Sequence, residues 1–235
     1  MKTQKILGFE NAKTSKGNKL GYLTGIVYLA PHTLSGVNLC PKASAGCAKA
    51  CLYTAGMGAM KSIQAARMAK TRFFLDHKAA FIMQLKNEIF MAEKKARSMR
   101  LKLVIRLNGT SDIAWERFSD LIQAFPNVQF YDYTKISARF KSVLPKNYDL
   151  TFSLSESNEN EAREVLARGG RVAAVFRDAN FPETFLGVKV VSGDNHDLRF
   201  LDASGVIVAL YAKGQAKKDV SGFVRETQQA ERVAA

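Results

Sequence analysis

Between residues 101 and 211, short apolar runs alternate with segments of helical pattern, and nothing else in the chain constrains its fold as tightly. Residues 101–107 (Leu-Lys-Leu-Val-Ile-Arg-Leu) read as a strand, 115–124 as a helix and 128–133 as a strand. A helix or turn is expected over 136–143, a strand over 148–154, and a helix over 158–168 ended by Gly169-Gly170. Residues 171–176, 188–192 and 206–211 read as further strands. Upstream, residues 21–31 contain the β-rich run Gly-Ile-Val-Tyr-Leu-Ala. Residues 60–99 carry apolar side chains at threes and fours, broken by Asp76-His77-Lys78, as two helices would. Strands alternating with helices predict an α/β fold with mostly parallel strands and right-handed crossovers. Seven strands, with a fifth-to-sixth connection too short for a helix, point to a partial (β/α) TIM-like barrel. A doubly wound sheet is the alternative.

At 235 residues and 47% hydrophobic content, one domain with a proper core is expected. Residues 1–20 read as a polar, basic extension that is irregular or an edge, 22–215 as the barrel and 216–235 as a tail. No apolar run suits a signal peptide or a membrane span, so the expectation is a cytoplasmic protein with no membrane partner. The net charge is +14, and it is unevenly placed. Residues 1–110 hold 19 Lys/Arg against 4 Asp/Glu, whereas residues 111–235 hold 16 against 17. A basic half attracts polyanions, which suggests a nucleotide or nucleic acid partner; an ordinary solubilising surface is the plainer alternative.

All three cysteines lie in Cys40-Pro-Lys-Ala-Ser-Ala-Gly-Cys47-Ala-Lys-Ala-Cys51. Inert core cysteines would usually be scattered, and an odd cluster fits a reducing compartment better than a disulfide framework. A zinc site needs a fourth ligand, His32 being the nearest candidate, and lacks the familiar paired spacings. An iron–sulfur cluster held by three thiolates would leave one iron open to a small molecule.

Polar residues follow strand after strand, and a barrel would gather them on its C-terminal rim with the cysteine loop. Asn108, Gly109, Ser111 and Asp112 follow the second strand. Asp132 and Lys135 follow the third, and Ser153, Ser155 and Glu156 the fourth. Ser192, Asp194 and Asn195 follow the sixth, beside His196 and Asp197. Some of these could simply cap helices, as Asp112 and Ser157 would. Gly46 and Gly56 suit a tight bend around a bulky group, and Arg67 and Lys70 share a helix face that could meet a carboxylate or phosphate. Tyr131 and Tyr133 fall on one side of their strand, where packing is the simpler reading.

A three-cysteine loop after the first strand of a small α/β barrel resembles the radical S-adenosylmethionine superfamily in layout, across about residues 22–215. The resemblance implies a [4Fe–4S] cluster on Cys40, Cys47 and Cys51, with S-adenosylmethionine on the open iron. It also implies reductive cleavage to a 5′-deoxyadenosyl radical and a reductant protein such as a flavodoxin or ferredoxin. By position, Asn108, Gly109 and Ser111 would meet the methionine amino group, Ser153 and Ser155 the ribose, and Ser192 and Asn195 the adenosine end. Asp112, Asp132, Lys135, Glu156 and Asp194 would be the catalytic polar groups around cofactor and substrate. The spacing departs from that superfamily: six then three residues between cysteines, Ala50 before the last one, and no Gly-Gly-Glu after the second strand. The chain also resembles an uncharacterised phage family, through Cys40-Pro41, Gly46-Cys47, Cys51-Leu52, Ala66-Arg67, Lys70-Thr71 and Tyr131-Asp132-Tyr133-Thr134-Lys135.

Three functions then compete. The first is a cluster-dependent enzyme that modifies a base in a nucleotide or nucleic acid. The second is a non-catalytic nucleic-acid-binding protein whose cysteine loop is pinned by zinc, with Lys94, Lys95, Arg97 and Arg100 as contacts. The third is a metal-dependent hydrolase, which His32, His77 and His196 fit poorly because they have no ligand spacing.

Overall fold

Alternation along the strands sorts their side chains onto two faces, and both faces are covered. In the computed structural model, which describes residues 5–9, 12–117 and 119–227, all seven expected strands form. They are β2 (Tyr22–Val27), β3 (Lys102–Arg106), β4 (Gln129–Thr134), β5 (Tyr148–Ser153), β6 (Arg171–Phe176), β8 (Val188–Ser192) and β9 (Ile207–Tyr211). Short strands β1 (Leu7–Gly8), β7 (Thr184–Phe185) and β10 (Val224–Arg225) complete the sheet. The helices are α1 (Ala12–Lys19), α2 (Ala45–Lys49), α3 (Lys61–Asp76), α4 (Lys78–Ser98) and α5 (Glu159–Ala167). The expected break at His77 separates α3 from α4, its backbone leaving helical geometry at φ −135° and ψ 52°.

The sheet runs β1-β2-β3-β4-β5-β6-β9-β8-β7, parallel from β2 to β8 with an antiparallel strand at each edge. It is a mixed α/β protein with a largely parallel sheet, and among the described residues no pairing joins the two edges into a barrel. Leu103, Ile105 and Phe130 face α3 and α4, packing with Phe74, Phe81, Leu85 and Ile89. Val172, Ala174 and Phe176 face α5. The opposite face has its own small cores, Val104 and Tyr131 on Leu198, and Ala173 with Val206 and Val208. A sheet buried on both sides is why its strands read as nearly continuous apolar runs.

Four departures from the sequence expectations have visible causes. Residues 115–124 form only a single 3-10 turn, Trp115–Arg117, and then further turns. Trp115 is drawn inward, its ring against Phe74 and Phe81 and its Nε1–H donating to Asn108 Oδ1 at 3.1 Å. The short fifth-to-sixth connection is a hairpin: Leu186 and Gly187, both at positive φ, turn β7 into β8. The chain then returns β9 between β6 and β8. In the expected N-terminal extension, β1 pairs with the edge of β2 and its amides at Ile6 and Leu7 donate to the Glu88 carboxylate, while α1 packs on β2. Finally, β5 and β6 pair only as far as Ala173, and β10 takes the place beyond, beside Val175 and Phe176. The segment expected as a tail therefore folds back onto the C-terminal end of the sheet.

Candidate functional site

Parallel strands point their C-terminal ends the same way, so whatever follows them gathers at one end. Here that end holds a cavity of about 350 Å³, and each of the seven parallel strands contributes to it directly or through the loop that follows. The loop after β2 supplies Cys40, Cys47 and Cys51, all free thiols and partly buried. From β3 come Arg106 and residues 108–112; from β4, Tyr133 and Lys135; from β5, Ser153. Asp194, His196 and Asp197 follow β8, Tyr211 and Lys213 close β9, and Phe223 arrives with β10.

The cysteine loop is held from three sides. Glu156 accepts hydrogen bonds from the Gly46 amide and the Ser44 hydroxyl, both at 2.7 Å, and Ser44 Oγ in turn caps the Cys47 amide. A side chain at position 46 would meet Ser221 Oγ at 2.1 Å and Glu156 Oε1 at 2.8 Å, so only glycine fits there. Asp112 N donates to Leu39 O at 2.8 Å, just before Cys40. Burial opposes ionisation of Glu156, yet the bonds from Ser44 and Gly46 outweigh it and hold the carboxyl below its usual range.

Burial raises the proton affinity of all three thiols, pushing Cys40 up to about 11. Two cations work against that. The Lys135 ammonium hydrogen-bonds the Cys47 sulfur and also donates to Ser153 Oγ at 2.6 Å. Arg67 lies within electrostatic reach of Cys51, stacked over Tyr28 at 4.7 Å and Tyr53 at 5.7 Å, and its buried Nε and Nη1 have no hydrogen-bond partner. Thiols must lose their protons to bind a metal, and nearby guanidinium and ammonium groups favour the charged form. Soft sulfur donors with cationic neighbours suit a thiolate-ligated group. Among the described residues, no group of three His, Cys, Asp or Glu side chains is arranged to hold a metal ion.

Of the residues expected at the site, Asn108, Gly109, Ser111, Asp112, Lys135, Ser153 and Asp194 line the cavity with the cysteines. Asp132, Ser155, Glu156, Ser192 and Asn195 are not among the lining residues. Asp132 is turned to the helix-facing side by the strand alternation, where it accepts from Asn108 N, Asn108 Nδ2 and the Tyr148 hydroxyl. The Asn108 side chain is fully engaged as well, its Oδ1 taking bonds from Ser111, Ile113 and Trp115. Ser155 is buried, with its amide bonded to Asn158. Asp112 accepts from Lys135 N at 2.8 Å, and burial raises its proton affinity despite that bond.

Sequence reasoning missed Arg106, Lys16 and Phe223. Arg106 forms a buried ion pair with Asp197 at 2.9 Å and lies 4.6 Å over the Tyr133 ring. Burial weakens its charge, but Asp197 outweighs that and keeps the guanidinium protonated. Strand alternation was the available signal, since it puts Val104, Arg106 and Asn108 on one face. Lys16 donates to the Asp194 carbonyl at 2.5 Å, and nothing in a polar N-terminal stretch points there.

A model of the family described as Gene product 88 matches residues 4–227. The chain belongs to the Gene product 88 family. That membership agrees with the likeness to an uncharacterised phage family, and the match gives no support to the radical S-adenosylmethionine likeness. No curated protein and no solved structure matches this Gene product 88 family member. No helix among its described residues is long and apolar enough to cross a membrane.

Proposed function

We propose that this protein is an enzyme that carries a [4Fe–4S] cluster on Cys40, Cys47 and Cys51, binds S-adenosylmethionine beside it, and modifies a base of a nucleotide or nucleic acid. One observation carries the reading: three free thiols, two acids and a lysine share a single cavity at the C-terminal ends of seven parallel strands. A cluster distributes its ligating sulfurs over several iron atoms, so thiols spread along one wall suit it without meeting at a point. The curled sheet is read as part of a TIM-like barrel, the architecture in which such a mouth is the reactive end.

When bound, a reduced cluster with S-adenosylmethionine supplies hydrogen-atom abstraction from an unactivated carbon. The chain's own residues do the rest. Asn108, Gly109 and Ser111 form the wall beside the thiols, and Ser153 holds Lys135 toward Cys47. Asp112, kept partly protonated by burial, and Asp194, at the mouth, are the acids available to a substrate. Asp132 acts through Asn108 and Glu156 through the cysteine loop, so both are positioning residues. A flavodoxin- or ferredoxin-like protein would deliver the electron.

The test is anaerobic reconstitution with ferrous iron and sulfide. We expect about four irons per chain, a paramagnetic resonance signal on reduction, and release of 5′-deoxyadenosine from S-adenosylmethionine. Cys40→Ala, Cys47→Ala and Cys51→Ala should each abolish all three. Stoichiometric zinc in the purified protein, or a chain that stays iron-free, would overturn the reading in favour of a zinc-stabilised nucleic-acid-binding protein.

A further inference from the structure

We infer that the rim of the cavity is a phosphate-binding track for a single-stranded polynucleotide, laid along the cysteine loop and the loop after β9, with one base turned into the cavity. It rests on the reading above only for the substrate class, and it commits to a polymer. Its evidence is the way two distant loops join. Ala50 packs with Ala216 in one small core, and Gly214 abuts Ala55. Lys49 and Lys217, each the chain neighbour of one of those alanines, therefore belong to one patch with Lys218. Lys42 joins it from the segment clamped by Glu156 two residues further on, at Ser44.

Lys42, Lys49, Lys217 and Lys218 are exposed, and among the described residues no carboxylate pairs with them. The nearby acids are already engaged. Glu156 holds Gly46 and Ser44, Asp219 accepts from Ser221 and Val224, and Asp194 pairs with Lys213. The unbalanced charge at the mouth is thus positive, as a polyanion requires. Behind it, Tyr133, Tyr211 and Phe223 line a cavity of about 350 Å³, an aromatic lining on which a base could stack. A base within a duplex could not reach that depth without leaving the stack, which favours a single strand. The other basic cluster, Lys94, Lys95, Arg97 and Arg100, sits where α4 leads into the start of β3, at the opposite end of the sheet. At about 3.3 Å per strand residue, phosphates held there would lie too far from the mouth to deliver a neighbouring base.

The experiment is fluorescence anisotropy with labelled single-stranded DNA and RNA oligonucleotides on the full chain, iron-free and reconstituted, across a salt series. The rim variant K42Q/K49Q/K217Q/K218Q should bind at least ~10-fold more weakly, and its slope of log affinity on log salt should flatten by about 3, at ~0.7 per lost phosphate contact. The variant K94Q/K95Q/R97Q/R100Q should bind within ~2-fold of the wild type. The half-variants K42Q/K49Q and K217Q/K218Q, with circular dichroism spectra matching the wild type, guard against misfolding. Unchanged binding by the folded rim variants, loss of binding in the α4 variant instead, or equal competition by a mononucleotide would each overturn the track. A chain that binds strands as expected yet stays iron-free retains the track and removes the cluster, so the two proposals fail separately.

Discussion

Asp132 is wholly buried at the end of β4 and accepts three hydrogen bonds, yet burial still dominates and pushes its pKa up to about 7. In the unfolded chain an aspartate titrates near ~3.9. Between those two values the folded state holds the extra proton, so stability is highest at the acid end of the window and falls as pH rises through it. The expected outcome is a lower urea midpoint at pH 8 than at pH 5 in the wild type, and a smaller difference in Asp132→Asn, whose side chain has no charge to bury. A variant that keeps the full wild-type difference would remove Asp132 as its source. The same residue shows why position after a strand is a weak guide to role: alternation sends Tyr133 and Lys135 to the cavity and Asp132 behind it.

At the scale of elements, the cysteine loop is a separate unit fastened by one carboxylate. Glu156 comes from beyond β5, more than a hundred residues away from the Ser44 and Gly46 groups it holds. Charge-assisted bonds of this kind are worth about 1.5–3 kcal/mol net. Glu156→Ala should therefore cost about 2 kcal/mol by urea denaturation and speed alkylation of Cys47 several-fold, with Glu156→Gln recovering part of both. An unchanged alkylation rate in Glu156→Ala would mean that the loop is fastened elsewhere. The Ser221 contact with Gly46 makes the C-terminal segment a second fastening, since β10 is itself held in the gap between β5 and β6 by the Arg225 bond to Ser155 O at 2.8 Å.

Across the whole molecule, Arg106 and Asp197 join the basic first half to the balanced second half beneath the cavity. The pair is almost fully out of water, with the Tyr131 and Tyr133 hydroxyls also turned to Asp197. Removing one partner of a buried pair leaves a charge without compensation, at a cost of about 3–5 kcal/mol. Arg106→Leu should lose that much in urea denaturation, and Arg106→Leu with Asp197→Leu should lose less than the single substitution. A double variant as unstable as the single one would show that packing, not the stranded charge, sets the cost. The charge asymmetry also takes on a direction in space: the acids near the mouth are engaged in the fold, while its lysines face outward.

The seven strands and the break at His77 were readable along the chain because each is a local matter of apolar periodicity and backbone preference. So was the meeting of the cysteines with the strand-end polar groups, because parallel strands share one reactive end. What no local pattern held was the partnering of distant segments. Trp115 abandons a helix for a core contact, β9 slips between β6 and β8, and Glu156 leaves the cavity lining to grip a loop. Lys16 and Phe223 reach the site from segments with no pattern of their own. Each of those outcomes turns on burying one particular group against another remote in sequence, and such contacts exist only once the sheet has assembled.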